Sequence, residues 1–232
     1  MDDYQTEEEQ VESIKKWWSE NSRAIIVGVT IGLVAIFSWQ SWQDYTYQHA
    51  EEASDFYQQV IKLSADNKGP EAIELINEIE LNYNDTIYAA LAGLQKAKLQ
   101  LIDGKSAEAT LTLDNVFASS NNSSLAHIAH LRALKLKVGS GERETVITTV
   151  SQILEGELGL AAGSFTAQYH ELHGDVYRLM GDLAKARVSY QQALLVTREK
   201  NQLTQLKLDD LGGEDVSFKS VSETVDTVEG TK

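Results

Sequence analysis

The chain has 232 residues, a formal net charge of −15 at pH 7, a single proline and no cysteine. The absence of cysteine excludes disulfide scaffolds, thiolate metal sites and cysteine nucleophiles. The acid excess is spread along the chain without a basic cluster, which argues against nucleic acid as a partner. Because turn residues are scarce, the composition favours an all-α protein over a sandwich or barrel.

The first predicted element is a membrane-spanning helix over residues 24–42. No formal charge lies between Arg23 and Asp44, and a helix over this span measures about 28 Å, close to the hydrocarbon thickness of a bilayer. The tryptophans of the chain flank the run on both sides, as rings that anchor at headgroup level do: Trp17, Trp18, Trp39 and Trp42. A cleavable signal peptide fits less well, because 23 mostly polar residues precede the run. The lipid bilayer is therefore an expected partner.

The charges beside the span predict its orientation. Lys15, Lys16 and Arg23 precede it, whereas no Lys or Arg occurs from Gln43 to Ile61. Basic residues concentrate on the cytoplasmic side of a membrane helix. We therefore expect residues 1–23 to be a cytoplasmic segment and the remainder to lie outside, in the periplasm of a Gram-negative cell.

Residues 43–211 are predicted to form a helical repeat domain. A helical pattern over residues 48–63 continues the span, and Pro70 suits the first turn of the next helix. Glycines that follow helical stretches recur 35, 37 and 40 residues apart, at Gly69, Gly104, Gly141 and Gly181. A period of this length built from helix pairs is typical of an α-solenoid.

The last unit resembles a tetratricopeptide repeat, with small and large residues at that repeat's signature positions: Gly174, Tyr177, Gly181, Ala186, Tyr190 and Ala193. The predicted fold class is thus all-α, with one N-terminal transmembrane helix followed by a tetratricopeptide-like solenoid. A leucine stripe then follows that could cap the open end: Leu203, Leu206, Leu208 and Leu211. Residues 212–232 are poor in apolar side chains and are predicted to be a disordered acidic tail.

The sequence offers little for catalysis or metal binding. Phosphate-loop, dinucleotide, nucleophile-elbow and zinc-protease motifs do not occur, so we expect neither an enzyme nor a cofactor. Two histidine pairs lie at i, i+3 spacing, His127 with His130 and His170 with His173. Such a pair could contribute to a zinc site only if further ligands aligned with it. Packing is the favoured interpretation, with no metal.

A partner-binding groove is predicted on the concave helix faces of the solenoid. In the last unit this face carries four polar residues: Gln168, Glu171, Asp175 and Arg178. In the two earlier units it carries Leu91, Leu94, Leu101, Ile128, Leu131 and Val138, with Lys98 and Lys135 among them. Such a surface would accept an amphipathic helix or an unfolded segment. If the register is off by one turn, the same leucines are interior instead, and the sequence leaves both interpretations open.

The N-terminal stretch also carries a family resemblance. QVESIKKWWSEN followed by AIIVGVTIGLVAIFSWQSW, with an acidic leader before it and helical repeats after it, resembles the YfgM family of ancillary subunits of the bacterial Sec translocon. The resemblance covers residues 4–211. It implies a single-pass inner-membrane protein with a periplasmic tetratricopeptide-like domain.

The same resemblance implies a function as an interaction scaffold. Its partners would be the membrane subunits of the Sec translocon and a periplasmic chaperone or prolyl isomerase anchored in the same membrane. The alternative is a membrane-anchored helical-repeat scaffold for cell-envelope assembly or division, because anchored repeat domains also occur there.

Overall fold

The computed structural model describes residues 7–156, 161–197 and 201–212, and no β-strand occurs among them. The α-helices in chain order are α1 (Glu7–Ala65), α2 (Gly69–Asn82), α3 (Ile87–Ile102), α4 (Ser106–Ser119), α5 (Ser123–Gly139), α6 (Arg143–Glu155), α7 (Thr166–Leu179), α8 (Leu183–Val196) and α9 (Gln202–Asp209). A short 3₁₀ helix, Gly163–Phe165, precedes α7. The predicted acidic tail, apart from Gly212, lies outside the described residues.

The chain divides into two compact units, Met1–Ala92 and Gly93–Lys232, and the division falls within α3. In the first unit α1 runs for 59 residues without a break. The predicted membrane span and the helical pattern over residues 48–63 therefore belong to one helix. In the described part of the chain, α1 is the helix long and apolar enough to cross a membrane.

The same turn recurs four times along the chain. Its central residue has a positive φ at Asn67 (57°), Gly104 (76°), Gly141 (96°) and Gly181 (83°). The next residue donates its backbone N–H to the carbonyl five residues earlier, at 2.9, 2.8, 2.9 and 3.0 Å respectively. This is the left-handed helix end with its 6→1 hydrogen bond. Each turn joins the two helices of one repeat.

One of the predicted turn positions was wrong. Gly69 is the first residue of α2, and Asn67 takes the left-handed position instead. Asparagine tolerates this conformation better than other residues with a side chain. Measured from Asn67, the turns are 37, 37 and 40 residues apart.

Buried positions after each turn give the register of the repeats. The fifth residue after the turn is fully buried in every repeat: Ala72, Ala109, Val146 and Ala186. The ninth is also buried: Ile76, Leu113, Val150 and Tyr190. The twelfth follows the same rule: Ile79, Val116, Ile153 and Ala193. The tetratricopeptide-like repeat is confirmed, and its register extends back to the units that match the signature only loosely in sequence.

Candidate partner-binding surface

Two leucines of the predicted groove are interior residues. Leu94 is 9% exposed and Leu131 is 8% exposed. Leu131 belongs to a core cluster with Leu134, Val150 and Tyr169, and Val138 packs against the same cluster. Of the two interpretations that the sequence left open, the interior one holds for Leu94 and Leu131.

The other members of the predicted groove differ in exposure. Leu91 and Ile128 are half-buried, whereas Leu101 is 40% exposed. Lys98, Lys135 and Gln168 have exposed side chains. Partner binding by the exposed members stays a prediction.

Helix α9 lies against the polar face of α7 that was expected to line the groove. Lys207 Nζ of α9 lies 2.6 Å from Glu171 Oε1 and 2.8 Å from Asp175 Oδ2. The Tyr190 hydroxyl of α8 donates to the other carboxylate oxygen of Asp175 at 2.8 Å. Burial alone would lower the pKa of Lys207, but its hydrogen bonds to the two carboxylates raise it above its usual range. The acidic pair therefore binds a cation of this same chain.

A second, looser ion pair lies on the same face. Arg178 Nη1 is 3.8 Å from Asp210 Oδ2. Along α7 the acidic pair comes before Arg178. The basic Lys207 of α9 pairs with those acids, and the acidic Asp210, just after α9, pairs with Arg178. The charges of Lys207 and Asp210 are visible in the sequence, but the contact between α9 and α7 was not predicted from them.

The predicted leucine cap is confirmed for half of its members. Leu211 is 8% exposed and packs with Leu208 against Ala186 and Tyr190. Leu203 and Leu206 are instead 60% and 65% exposed. The inward stripe of α9 consists of Thr204, Lys207 and Leu208, which share one helix face, and Leu211 continues it just beyond the end of the helix.

A buried polar network joins α5 to α7. His127 Nε2 lies 3.1 Å from the Ala161 carbonyl oxygen, so this nitrogen carries the proton and donates it. His127 Nδ1 then accepts from the Tyr169 hydroxyl at 3.0 Å. The Tyr169 oxygen in turn accepts from His130 Nδ1 at 3.1 Å. The network is satisfied only while His127 is neutral, because its Nδ1 has to accept the hydrogen bond from Tyr169.

The surroundings keep these rings neutral. Phe117 stacks on His130 with centroids 4.0 Å apart, and Phe165 stacks on His127 at 5.1 Å. Burial lowers the pKa of His130 to about 4. It also lowers the pKa of His127, against the opposing effect of the hydrogen bond to Ala161. Packing is the role that these two histidines have in the fold.

The second histidine pair differs from the first. Burial lowers the pKa of His173 to about 4, and its Nε2 is buried without a hydrogen-bond partner. His173 packs against the ring of Tyr177, with centroids 4.6 Å apart. Over the described ranges, no group of three or more His, Asp or Glu side chains could hold a metal ion.

A family described as Tetratricopeptide repeat-like domain matches residues 15–213. The match includes part of the N-terminal helix as well as the repeats.

Three relatives carry the name Ancillary SecYEG translocon subunit. The chain is 30% identical to the protein of Aggregatibacter actinomycetemcomitans over 207 residues, which is 88% of this chain and 97% of the relative. The Haemophilus influenzae protein is 28% identical over 206 residues, with the same coverage of both chains. The Escherichia coli K12 protein is 27% identical over 214 residues, 91% of this chain and 99% of the relative. The similarity therefore extends over nearly the whole of each relative.

Proposed function

The chain belongs to the tetratricopeptide repeat-like family of ancillary SecYEG translocon subunits, and from this premise we propose that it is a membrane-anchored scaffold that links the Sec translocon to periplasmic chaperones. The role is non-enzymatic. It consists of holding partners close to the site where exported chains emerge.

The observation that carries this proposal is the continuity of α1. The apolar part of α1 is exposed from residue 26 to residue 48, as expected of a surface that contacts lipid. The same helix then supplies Ala53 and Val60, both fully buried, to the first repeat. A repeat domain that begins on the membrane helix itself is held at the membrane, where a translocon subunit has to act.

The charges beside the span support the proposed orientation. Lys15, Lys16 and Arg23 would lie in the cytoplasm and the repeats in the periplasm. The membrane is then the bacterial inner membrane, and the repeats share a compartment with chaperones that receive exported chains. A chaperone or prolyl isomerase anchored in the same membrane is the partner of this kind that we propose.

Exposed residues of the second unit are available for such a partner. Lys98, Lys135, Gln168 and Arg178 are the exposed polar members of the predicted groove, and Arg178 also forms the looser ion pair with Asp210. The buried Leu94 and Leu131 would support this surface from within instead of contacting the partner. The acidic pair on α7 is occupied by Lys207, so it is available only if α9 moves.

Co-purification of the full chain from membranes in a mild detergent, followed by mass spectrometry, tests the proposal. We expect SecYEG subunits and a periplasmic chaperone or prolyl isomerase to be enriched over a control with an unrelated single-span protein. Enrichment of cell-wall or division proteins without SecYEG would support the envelope-assembly alternative. Enrichment of SecYEG without any chaperone would retain the translocon role and remove the chaperone link.

A further inference from the structure

The first helical hairpin has one end close to the membrane span. α2 begins beside the far end of α1, where the Lys68 N–H donates to the Leu63 carbonyl. It ends beside His49, whose ring centroid is 4.7 Å from that of Tyr83. α2 therefore runs back along α1 toward the span. The loop from α2 to α3 forms the base of this hairpin.

Side-chain contacts fix the base to α1. His49 Nε2 lies 3.1 Å from Asp85 Oδ1, and the Tyr83 hydroxyl donates to Glu52 Oε2 at 3.2 Å. Aromatic rings continue from His49 toward the span, because Tyr45 stacks on His49 at 5.7 Å and Trp42 lies 6.5 Å from Tyr45. The position of the base is thus set relative to the rings that follow the span.

The height of the base follows from helix geometry. Trp42, Tyr45 and Tyr47 are exposed rings of the kind that lie at the level of lipid headgroups. His49 is only two residues beyond Tyr47, which is about 3 Å along a helix axis. The headgroup layer itself is about 5 to 8 Å thick on each side. The base of the hairpin therefore lies at the outer edge of the headgroup layer.

The base also exposes apolar side chains. Leu81, near the end of α2, is 76% exposed, and Ile87, the first residue of α3, is 47% exposed. From Leu81 to Gln95 the sequence contains one formal charge, that of Asp85, and this carboxylate faces His49. Exposed apolar side chains beside an aromatic belt are the kind of residues that an interfacial contact uses.

We propose that the base of the α1–α2 hairpin rests on the outer lipid surface, with Leu81 and Ile87 inserted among the headgroups. The chain would thus have a second membrane contact beside the span. The contact fixes the direction in which the hairpin faces, because a single helix alone is free to rotate about its axis. This inference requires the membrane crossing that the proposed function includes, but it does not require the translocon.

Spin labelling tests the contact, and the cysteine-free sequence allows single cysteines without further changes. Leu81→Cys, Ile87→Cys, Val34→Cys and Ile61→Cys would each be made in the full chain, labelled with a nitroxide and reconstituted in lipid nanodiscs. Oxygen partitions into lipid and a nickel chelate into water, so the ratio of the two accessibilities reports depth. All four positions are exposed, so the labels are not expected to disturb packing.

Positions 81 and 87 are expected to favour oxygen severalfold more than position 61, which lies at the far end of the same hairpin. Ratios at 81 and 87 equal to that at 61 would overturn the proposal. Position 34 distinguishes this result from a failure of the helix to insert into the membrane. A label in an inserted span has to show the high oxygen accessibility of lipid. If the ratios at positions 81 and 87 equal that at position 61 in lipid alone, and both positions become shielded from the two reagents when SecYEG is added, the surface binds protein and the lipid contact is wrong.

Discussion

Gly174 lies under the ring of Tyr190. A Cβ added at position 174 would stand 2.5 Å from Tyr190 Cε1 and 2.6 Å from Cδ1, closer than two carbon atoms approach. Tyr190 is fully buried and its hydroxyl donates a hydrogen bond to Asp175, so the ring has little freedom to move away. Glycine is required here by the contact between α7 and α8, not by the backbone conformation.

Gly174→Ala is therefore expected to lower the free energy of unfolding by about 1 to 3 kcal/mol, the usual cost of overpacking. Thermal unfolding of the full chain in detergent, followed by circular dichroism, would measure it. Gly139→Ala is the matched control, because a Cβ at that helical position meets no atom within 4 Å. The control should be neutral or slightly stabilising, and equal melting temperatures for the two variants would contradict the assigned contact.

The buried histidines predict an acid-sensitive fold. Burial lowers the pKa of His130 and His173 to about 4, whereas in the unfolded chain each protonates near 6.5. Protonation therefore favours the unfolded chain. The stability from these rings is complete above about pH 6.5 and is lost as the pH falls toward 4.

At pH 5 the loss is expected to be about 1 to 2 kcal/mol for each histidine. Denaturant unfolding of the full chain at pH 7.5, 6.5 and 5 would measure it in a range where most carboxylates stay ionised. His130→Gln should be less stable at pH 7.5 and show a smaller loss on acidification. A wild-type stability that is flat from pH 7.5 to 5 would show that the rings are not held neutral.

Among the elements, the four equivalent turns show how far the sequence determines the repeats. Three have glycine at the left-handed position, and the first has Asn67 with φ of 57°. A β-branched residue at this conformation costs about 1 to 2 kcal/mol. We expect Asn67→Val to lower the melting temperature, whereas Asn67→Gly should leave it unchanged or raise it. Equal effects of the two substitutions on thermal unfolding would show that the turn does not depend on this residue.

The period of the turns and the apolar residues after them were readable from the sequence. Ala109, Leu113 and Val116 repeat the spacing of Ala186, Tyr190 and Ala193, because the same positions after the turn are buried in each repeat. The glycine spacing did not predict the turn at Asn67, because asparagine occupies the left-handed position there. Position relative to the turn predicted burial better than residue type did.

The candidate surface was less predictable. Leu131 has the same sequence pattern whether it lines a groove or the core, because neighbouring faces of one helix differ by a single turn. The contacts of Lys207 with α7 depend on the path of the chain after α8, and no local pattern encodes that path. The charges on α7 were visible in the sequence and indicated a binding face, but they did not show that Lys207 of α9 binds there.

We predict that the whole chain crosses the membrane once, with the repeats outside. A protease added to spheroplasts should digest the repeat domain and leave a protected fragment that contains the N-terminal segment and the span. Antibodies against tags at the two ends would identify these fragments. A cytoplasmic protein that stays undigested would show that the membranes are intact. Full protection of the repeats in intact spheroplasts, with digestion only after lysis, would show that the orientation is the opposite of the one proposed.

Association with the translocon can be measured by reconstitution with purified components. The fluorescently labelled full chain would be incorporated into nanodiscs with SecYEG, isolated through a tag on SecYEG, and compared with an unrelated single-span protein of the same length of span. We expect saturable co-isolation of the chain well above the control. Recovery no greater than that of the control, with both proteins folded and in the same discs, would contradict it.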